Sequence, residues 1–219
     1  MSIYDQARRY LLKLAGGQRT HGFTFVLIGG WAVWHYNPYL ESKDVDLLVT
    51  REDHWRLKEF LRTIGFRETR GRLAKKGFTV ETPEGGIDID IYDDKIGPLE
   101  VEHIFRNKLW REARIDDEEI YVVDPTILLI TKLIAAKERG LDRRSAKGMK
   151  DLTDTFALLQ VQLDAINWGV VRERVDPATI KAVLAAVLSD YTSIRRYFPA
   201  LSFSEFKGMR KRLKSEALI

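Results

Sequence analysis

The run VLIGGWAVWHYNPYLESKDVDLLV, residues 26–49, most restricts what this chain can fold into. A β-rich stretch, FTFVLI, ends at Gly29 and Gly30, which is typical of a buried strand that turns into a helix. Asp44 and Asp46 open the next apolar stretch, and residues two apart on a strand point to the same face. Paired glycines at such a turn let the backbone approach a phosphate, and paired aspartates can hold hard divalent cations. The order of these features predicts a nucleotide site with its metals.

A second pair of carboxylates lies in the stretch GGIDIDIYDD, where Asp88 and Asp90 share one face of an apolar strand. Two unit charges about 4 Å apart repel by about 4 kcal/mol at an effective dielectric of about 20, so a bare cluster of three carboxylates is unstable. Either one carboxylate takes a proton or cations neutralise the group, and two Mg²⁺ ions are the simpler answer at neutral pH. We therefore predict Asp44, Asp46 and a third carboxylate as metal ligands. The sequence leaves the choice between Asp88 and Asp90 open.

The hydrophobic period changes character near residue 124. Before it, β-rich stretches alternate with helical ones; the pattern predicts strands over 23–28, 44–50, 72–81 and 87–92, short edge pieces within 100–123, and helices over 2–15, 31–36 and 51–64. The first helix is expected to stop at Gly16 and Gly17. After Pro125 the pattern predicts helices over 126–139, 150–161, 164–174, 177–188, 190–197 and 202–213, with a basic linker over 141–149.

These patterns predict an α/β (α+β) fold with a small mixed sheet flanked by helices, followed by a C-terminal helical bundle. The expected domains are residues 1–124 and 125–219. Two other nucleotide folds are excluded. The residues from Gly29 to Ala32 do not form the G-x-G-x-x-G pattern of a dinucleotide site, and the sequence contains no P-loop lysine motif.

The amino-acid composition excludes several other kinds of site. The 219 residues include no cysteine, which excludes disulfide frameworks, thiolate nucleophiles and cysteine zinc sites, and the four histidines show no metal-ligand spacing. The net charge of +4 and the pI near 9.2 are a mild basic bias that fits an acidic partner. No signal peptide is recognisable, and no apolar run reaches the roughly 20 residues needed to cross a bilayer. We expect a cytoplasmic protein without a membrane partner.

Two charged motifs mark the predicted helical half. Lys132 and Arg139 are seven residues apart on one predicted helix and therefore lie on the same face. Asp151 and Asp154 follow on the next predicted helix. Two roles for Lys132 stay open: it contacts a triphosphate, or it pairs with Asp151 or Asp154.

Together these residues resemble a known family. The glycine pair, the Asp44-Val45-Asp46 segment and an aspartate on a later strand are similar to the signature of the polymerase-β-type nucleotidyltransferase superfamily. The later pattern, Lys132-x-x-x-Ala136-x-x-Arg139 followed by Lys150-Asp151-x-x-Asp154, resembles motifs of the AbiEii-type nucleotidyltransferases, which are toxins of type IV toxin–antitoxin systems. The resemblance spans roughly residues 25–160, and the helices beyond it match no family.

The resemblance implies a nucleotidyltransferase fold and NMP transfer from an NTP, with pyrophosphate release and two Mg²⁺ ions, or Mn²⁺ in their place. It implies that the carboxylates and Lys132 are catalytic and that a further set binds the nucleotide. That set is Gly29, Gly30, Ser42, Lys132, Arg139 and Asp151.

The resemblance leaves three kinds of function to consider. The leading hypothesis is transfer to a macromolecular hydroxyl, a tRNA 3′ end or a protein, by a toxin with a cognate antitoxin. The first alternative keeps the chemistry but uses a small-molecule acceptor, as in antibiotic-modifying nucleotidyltransferases. The second alternative is a non-catalytic nucleotidyltransferase-like antitoxin or binding module.

Overall fold

The computed structural model describes residues 1–70 and 76–215, which divide into two compact units. The first unit contains Met1–His35 and Glu41–Asp124, and the second contains Pro125 and the residues after it. The second unit also includes Tyr36–Leu40, a segment within the predicted first domain, residues 1–124. No helix in the described part of the chain is both long and apolar enough to span a membrane.

A seven-stranded mixed sheet forms the centre of the first unit, in the order β3-β4-β5-β2-β1-β9-β8. Strand β1 is antiparallel to β2 and parallel to β9, while β2 is parallel to β5. The strands β4 and β9 pair antiparallel with their outer neighbours β3 and β8. The strand bounds, including those of a separate two-stranded hairpin made by β6 and β7, are β1 Phe25–Ile28, β2 Val45–Val49, β3 Arg67–Arg70, β4 Lys76–Thr82, β5 Gly85–Tyr92, β6 Lys95–Ile96, β7 Leu99–Glu100, β8 Trp110–Ile115 and β9 Glu118–Val123.

The burial of these strands follows from their sequences. All four residues of β1, FVLI, are buried, as expected for an inner strand with both faces covered. Strand β5 instead alternates, with buried isoleucines on one face and its aspartates on the other. The prediction of a hairpin at TPEGG is confirmed, because β4 and β5 pair antiparallel across Pro83 and Glu84. Residues 72–75 of the predicted 72–81 strand fall outside the described residues.

The prediction of short edge pieces over 100–123 was wrong in part. Strand β9 is an inner strand between β1 and β8, and helix α4, Val101–Arg106, precedes the pair. The alternating pattern of EEIYVV shows that the segment is a strand but carries no information on which neighbour it joins.

Within the described residues, the helices of the first unit are α1 Ile3–His21, α2 Gly29–Tyr36, whose last residue belongs to the second unit, α3 Arg51–Thr63 and α4. Helix α1 continues through the two glycines that were expected to end it, and it stops at Gly22, which is left-handed with φ +65°. Gly17 has a packing role, because a Cβ there would lie 2.6 Å from the Phe60 ring of α3. Small residues inside a helix can therefore mark a close contact instead of a stop.

The second unit is helical, as predicted. Its helices are α5 Pro125–Glu138, α6 Ala146–Gln162, α7 Trp168–Arg174, α8 Pro177–Val187, α9 Tyr191–Arg195 and α10 Phe203–Ser215, with a 3₁₀ turn at Leu163–Ala165. Helix α6 begins four residues before the predicted start at Lys150, because Ser145 caps it by accepting a hydrogen bond from the Gly148 amide. The expected basic linker is correspondingly shorter.

Candidate active site

The turn between β1 and α2 brings Gly29 against Asp46. Strands β1 and β2 pair so that Ile28 lies opposite Asp46, and the next residue, Gly29, begins α2 with φ +69°. A Cβ built on Gly29 would lie 2.7 Å from Asp46 Cγ, closer than real Cβ atoms come. Only glycine fits both the backbone angle and the space. The Asp46 carboxylate therefore lies at the N-terminal end of α2, where backbone amides favour negative charge.

The register of the sheet distinguishes the two later aspartates. Asp90 on β5 is the parallel partner of Asp46, so the two residues lie side by side on adjacent strands. On its other side Asp90 faces Gly77 of β4, where a Cβ would lie 3.6 Å from Asp90 Oδ1. Asp88 instead faces Thr79, whose hydroxyl donates a hydrogen bond of 2.5 Å to Asp88 Oδ1.

The residues before β2 complete this edge of the sheet. Asp44 immediately precedes β2 and keeps 34% of its side-chain surface exposed, and Lys43 Nζ lies 3.9 Å from Asp44 Oδ1. Ser42 is buried. The structure thus brings Gly29, Asp46 and Asp90 together and places Asp44 two residues from Asp46 on the same chain segment.

The donor chemistry of this edge fits a hard divalent cation. All its candidate ligands are carboxylate oxygens, which are the ligands that Mg²⁺ prefers. Within residues 1–70 and 76–215, no three acidic or histidine side chains already converge on one metal position. Asp46 and Asp90, paired in register with Asp44 close by in sequence, are the residues that would hold the ion.

The helical unit contains a separate buried charge cluster centred on Asp154 of α6. Lys132 Nζ lies 2.6 Å from Asp154 Oδ2, Lys150 Nζ lies 3.1 Å from Oδ1, and the Tyr39 hydroxyl also donates to Oδ1. Burial acts to raise the pKa of Asp154, but Lys132 and Lys150 lower it, and the net pKa lies below the usual value. Burial, reinforced by the negative charge of Asp154, strongly raises the pKa of Tyr39. At neutral pH the cluster is an ionised aspartate with two lysines and a neutral tyrosine.

A second ion pair lies nearby, between Arg139, the residue after the end of α5, and Asp151 of α6. The sequence left two roles open for Lys132, and the structure shows the pairing with Asp154. The Lys150 contact is an ordinary four-residue helical spacing that the sequence contains. Tyr39 was missed as a partner of Asp154, because no local pattern links residues 115 positions apart.

Solved structures with a similar fold include a nucleotidyltransferase-like protein and ANT(2″)-Ia. An antigenic nucleotidyltransferase-like protein from Paracoccidioides brasiliensis superposes with a TM-score of 0.53 at 16% identity, covering 83% of this chain and 93% of that one. ANT(2″)-Ia in complex with adenylyl-2″-tobramycin superposes with a TM-score of 0.55 at 14% identity, covering 84% and 98%. The predicted fold class is confirmed: a nucleotidyltransferase-like α/β fold with a seven-stranded mixed sheet and C-terminal helices.

The sequence itself defines the family more narrowly. Residues 5–190 match the model of the family described as "Uncharacterised nucleotidyltransferase", so the chain belongs to that family. No curated protein matches the chain in sequence.

Proposed function

We propose that the protein is a metal-dependent nucleotidyltransferase that moves an NMP group from an NTP to a hydroxyl acceptor. The observation that carries the proposal is the position of Asp46, which lies against Gly29 at the start of α2 and beside Asp90 on the adjacent strand. This arrangement joins a carboxylate pair to the start of a helix, whose amides favour phosphate.

In this proposal each residue at the sheet edge has one task. Backbone amides after Gly29 and Gly30 bind the β- and γ-phosphates, and the missing Cβ at Gly29 keeps that approach open. Asp44, Asp46 and Asp90 would hold the divalent cations, and Asp90 accepts the proton that the acceptor hydroxyl loses. Two bound Mg²⁺ ions would neutralise the triphosphate and make the hydroxyl more acidic. The hydroxyl oxygen then bonds to the α-phosphorus, the bond to the bridging oxygen breaks, and pyrophosphate leaves.

Asp90 is our choice for the third carboxylate. Its register partner on β2 is Asp46, whereas Asp88 lies two residues earlier on β5, farther along the strand from that pair. The nucleotide-binding roles of Ser42, Lys132, Arg139 and Asp151 stay predictions. Lys132 and Arg139 are each held by an aspartate of α6 in the structure.

For the acceptor we favour a small molecule with a free hydroxyl. The support comes from ANT(2″)-Ia, which shares the fold and whose complex contains an adenylylated tobramycin. Neither the family match nor the fold neighbours support an AbiEii-type toxin with its antitoxin. A macromolecular acceptor is the second candidate, and the exposed basic surface of the helical unit, described below, favours its RNA form over a protein hydroxyl.

The test is a transfer assay with the purified chain, Mg²⁺ and each of the four NTPs labelled at the α-phosphorus. Separate reactions contain a panel of aminoglycosides and other polyhydroxylated small molecules, total tRNA, or no added acceptor. Parallel reactions with NTP labelled at the γ-phosphorus separate NMP transfer from phosphoryl transfer, because only the α-label should enter the acceptor. An Asp44→Ala/Asp46→Ala double variant is the inactive control.

Label in a small-molecule acceptor supports the proposal as stated, and label in tRNA moves the acceptor to the second candidate. If wild type and the double variant are equally inactive and neither binds nucleotide in a metal-dependent way, the chain is the non-catalytic module and the proposal is wrong.

A further inference from the structure

The segment that contains the last two helices, residues 191–215, has a high net positive charge. Residues 191–215 contain seven Lys or Arg and a single acidic residue, Glu205, giving a net charge of +6 against +4 for the whole sequence. All seven basic side chains are exposed. Within the described part of the chain, Arg212 alone among the seven has a carboxylate within 4.0 Å, that of Asp164. The charge is therefore available to an acidic partner.

Aromatic rings lie within this charged surface. Phe203, the first residue of α10, is 51% exposed, and Lys207 Nζ lies 4.4 Å from its ring centroid. The Tyr191 ring contacts Phe203 with centroids 5.2 Å apart, and the Arg195 guanidinium lies 5.9 Å from the Tyr191 centroid. The sequence does not reveal this interleaving, because Tyr191 and Arg195 on α9 are separated from Phe203 and Lys207 by an intervening loop.

On α10 the exposed side chains form a continuous line, which we call the α10 stripe. Helical spacing places its members within about 100° of one another and along about 17 Å of the helix. They are Phe203, Lys207, Arg210, Lys211 and Lys214. The apolar residues of the helix, Phe206 and Leu213, lie off this stripe and are buried within the unit.

The division of α10 into a buried apolar face and an exposed charged stripe distinguishes two kinds of acidic partner, an anionic lipid surface and a nucleic acid. A helix that binds a lipid surface keeps an apolar face for insertion, but the apolar face of α10 is already covered by protein. What remains exposed is one aromatic ring followed by four cations. An aromatic ring beside a line of cations suits a single-stranded nucleic acid, because its bases stack on aromatic rings and its phosphates bind along a line of positive charge.

We propose that the surface made by α9 and the α10 stripe binds single-stranded nucleic acid, with a base stacked on Phe203 and the backbone following Lys207, Lys211 and Lys214. Duplexes bind more weakly because their bases are already stacked and cannot reach the ring. The proposal does not depend on NMP transfer, since every contributing residue belongs to the helical unit.

The experiment is fluorescence anisotropy of the full chain with a labelled single-stranded RNA of mixed sequence, measured over a series of salt concentrations. The same strand in a duplex and heparin, a polyanion without bases, serve as competitors. Vesicles containing anionic lipid are tested separately by sedimentation. Each phosphate contact of a single strand contributes a slope of about −0.7 in log K against log salt, so three contacts give about −2.

Two variants separate stacking from charge. Phe203→Leu keeps apolar packing but removes the aromatic face, and it should weaken RNA binding by at least about fivefold while leaving heparin binding unchanged. Lys207→Gln/Lys211→Gln should reduce the salt slope by about 1.4 and weaken both ligands. The matched controls are Trp55→Leu, which removes an aromatic ring that is 64% exposed in the first unit, and Arg106→Gln, which removes an exposed charge there. Both should bind like wild type.

Salt-dependent RNA binding that the two α10 variants weaken and the two controls leave unchanged supports the proposal. The proposal is overturned if RNA does not bind, whether or not the chain sediments with anionic vesicles, or if Phe203→Leu binds RNA as tightly as wild type.

Discussion

Gly29 and Asp46 contact each other so closely that the site has no room for a side chain at position 29. A Cβ on Gly29 would lie 2.7 Å from Asp46 Cγ and 2.9 Å from Asp46 Cβ. The glycine therefore does more than provide a left-handed turn, because it also leaves the space that the carboxylate occupies.

This relationship predicts a specific effect of Gly29→Ala. Gly22 has nearly the same backbone angle, φ +65° against +69°, but nothing lies within 4 Å of a Cβ built there. Both alanine variants should lose about 1–2 kcal/mol of stability from the left-handed backbone. Only Gly29→Ala should also lose about 100-fold in NMP transfer, because it displaces Asp46. Thermal unfolding and the transfer assay measure the two effects, and equal activity of both variants would remove Asp46 from its proposed role.

The register of the sheet predicts that Asp90 and Asp88 differ in function. Asp90→Asn removes the carboxylate beside Asp46 and should lower transfer at least about 100-fold, the scale of losing one electrostatic group in an active site. Asp88→Asn is the matched control on the same strand face and should keep activity within a few fold, because its contact is with Thr79. Steady-state rates at saturating Mg²⁺ compare them. The reverse order of effects would assign the third carboxylate to Asp88.

Much of this edge is predictable from local sequence. The pattern FTFVLI-Gly-Gly indicates β1 and its turn, Asp44-Val45-Asp46 opens β2, and TPEGG marks the hairpin that carries Asp88 and Asp90. Each of these signals lies within a few residues, where steric preference and side-chain alternation determine the outcome.

The remaining features of the fold and of the candidate site depend on contacts between distant parts of the chain. That β9 joins β1, that Asp90 is the partner of Asp46, and that Tyr39 donates to Asp154 all follow from packing between segments tens of residues apart. The packing role of Gly17 is likewise not predictable from local sequence, because it depends on a contact with Phe60 on another helix.

The adjacent glycines of α1 should respond to alanine in opposite ways. At Gly16 a Cβ meets nothing closer than 4.0 Å, so Gly16→Ala should stabilise the helix by about 0.5–1 kcal/mol. Gly17→Ala drives a methyl group to 2.6 Å from the Phe60 ring and should cost about 1–3 kcal/mol. Chemical denaturation of the two single variants gives the comparison. Similar stabilities would mean that Phe60 moves freely out of the way.

The buried cluster around Asp154 should dominate the stability of the helical unit. Asp154→Asn removes the carboxylate that offsets the buried Lys132 cation, so we expect a loss of about 3–5 kcal/mol. Glu102→Gln breaks an ion pair with Arg106 whose side chains are 71–81% exposed, and it should cost less than about 1 kcal/mol. Thermal unfolding measures the loss of stability in each variant. Equal losses in Asp154→Asn and Glu102→Gln would contradict the expectation that burial makes the first ion pair more important.

The same cluster predicts a direction of pH dependence. The pKa of Asp154 is held below its usual value in the folded chain. Its contribution to stability is therefore complete above the unfolded pKa of about 4 and is lost as the pH falls through the folded pKa. The stability gap between wild type and Asp154→Asn should be constant from about pH 8 to pH 5 and shrink at lower pH. A gap that widens on acidification would contradict an ionised Asp154.

The most direct test of the central claim is nucleotide affinity, because it does not require the acceptor to be known. Isothermal titration with an NTP analogue that carries a methylene between the α- and β-phosphorus atoms, with Mg²⁺ and with EDTA, measures it. We predict Mg²⁺-dependent binding by wild type, Asp88→Asn and Gly22→Ala, and a loss of at least about tenfold in Asp46→Asn and Asp90→Asn. Binding that is equally tight in EDTA, or that Asp46→Asn leaves unchanged, would contradict the claim that this edge of the sheet holds a metal-bound nucleotide.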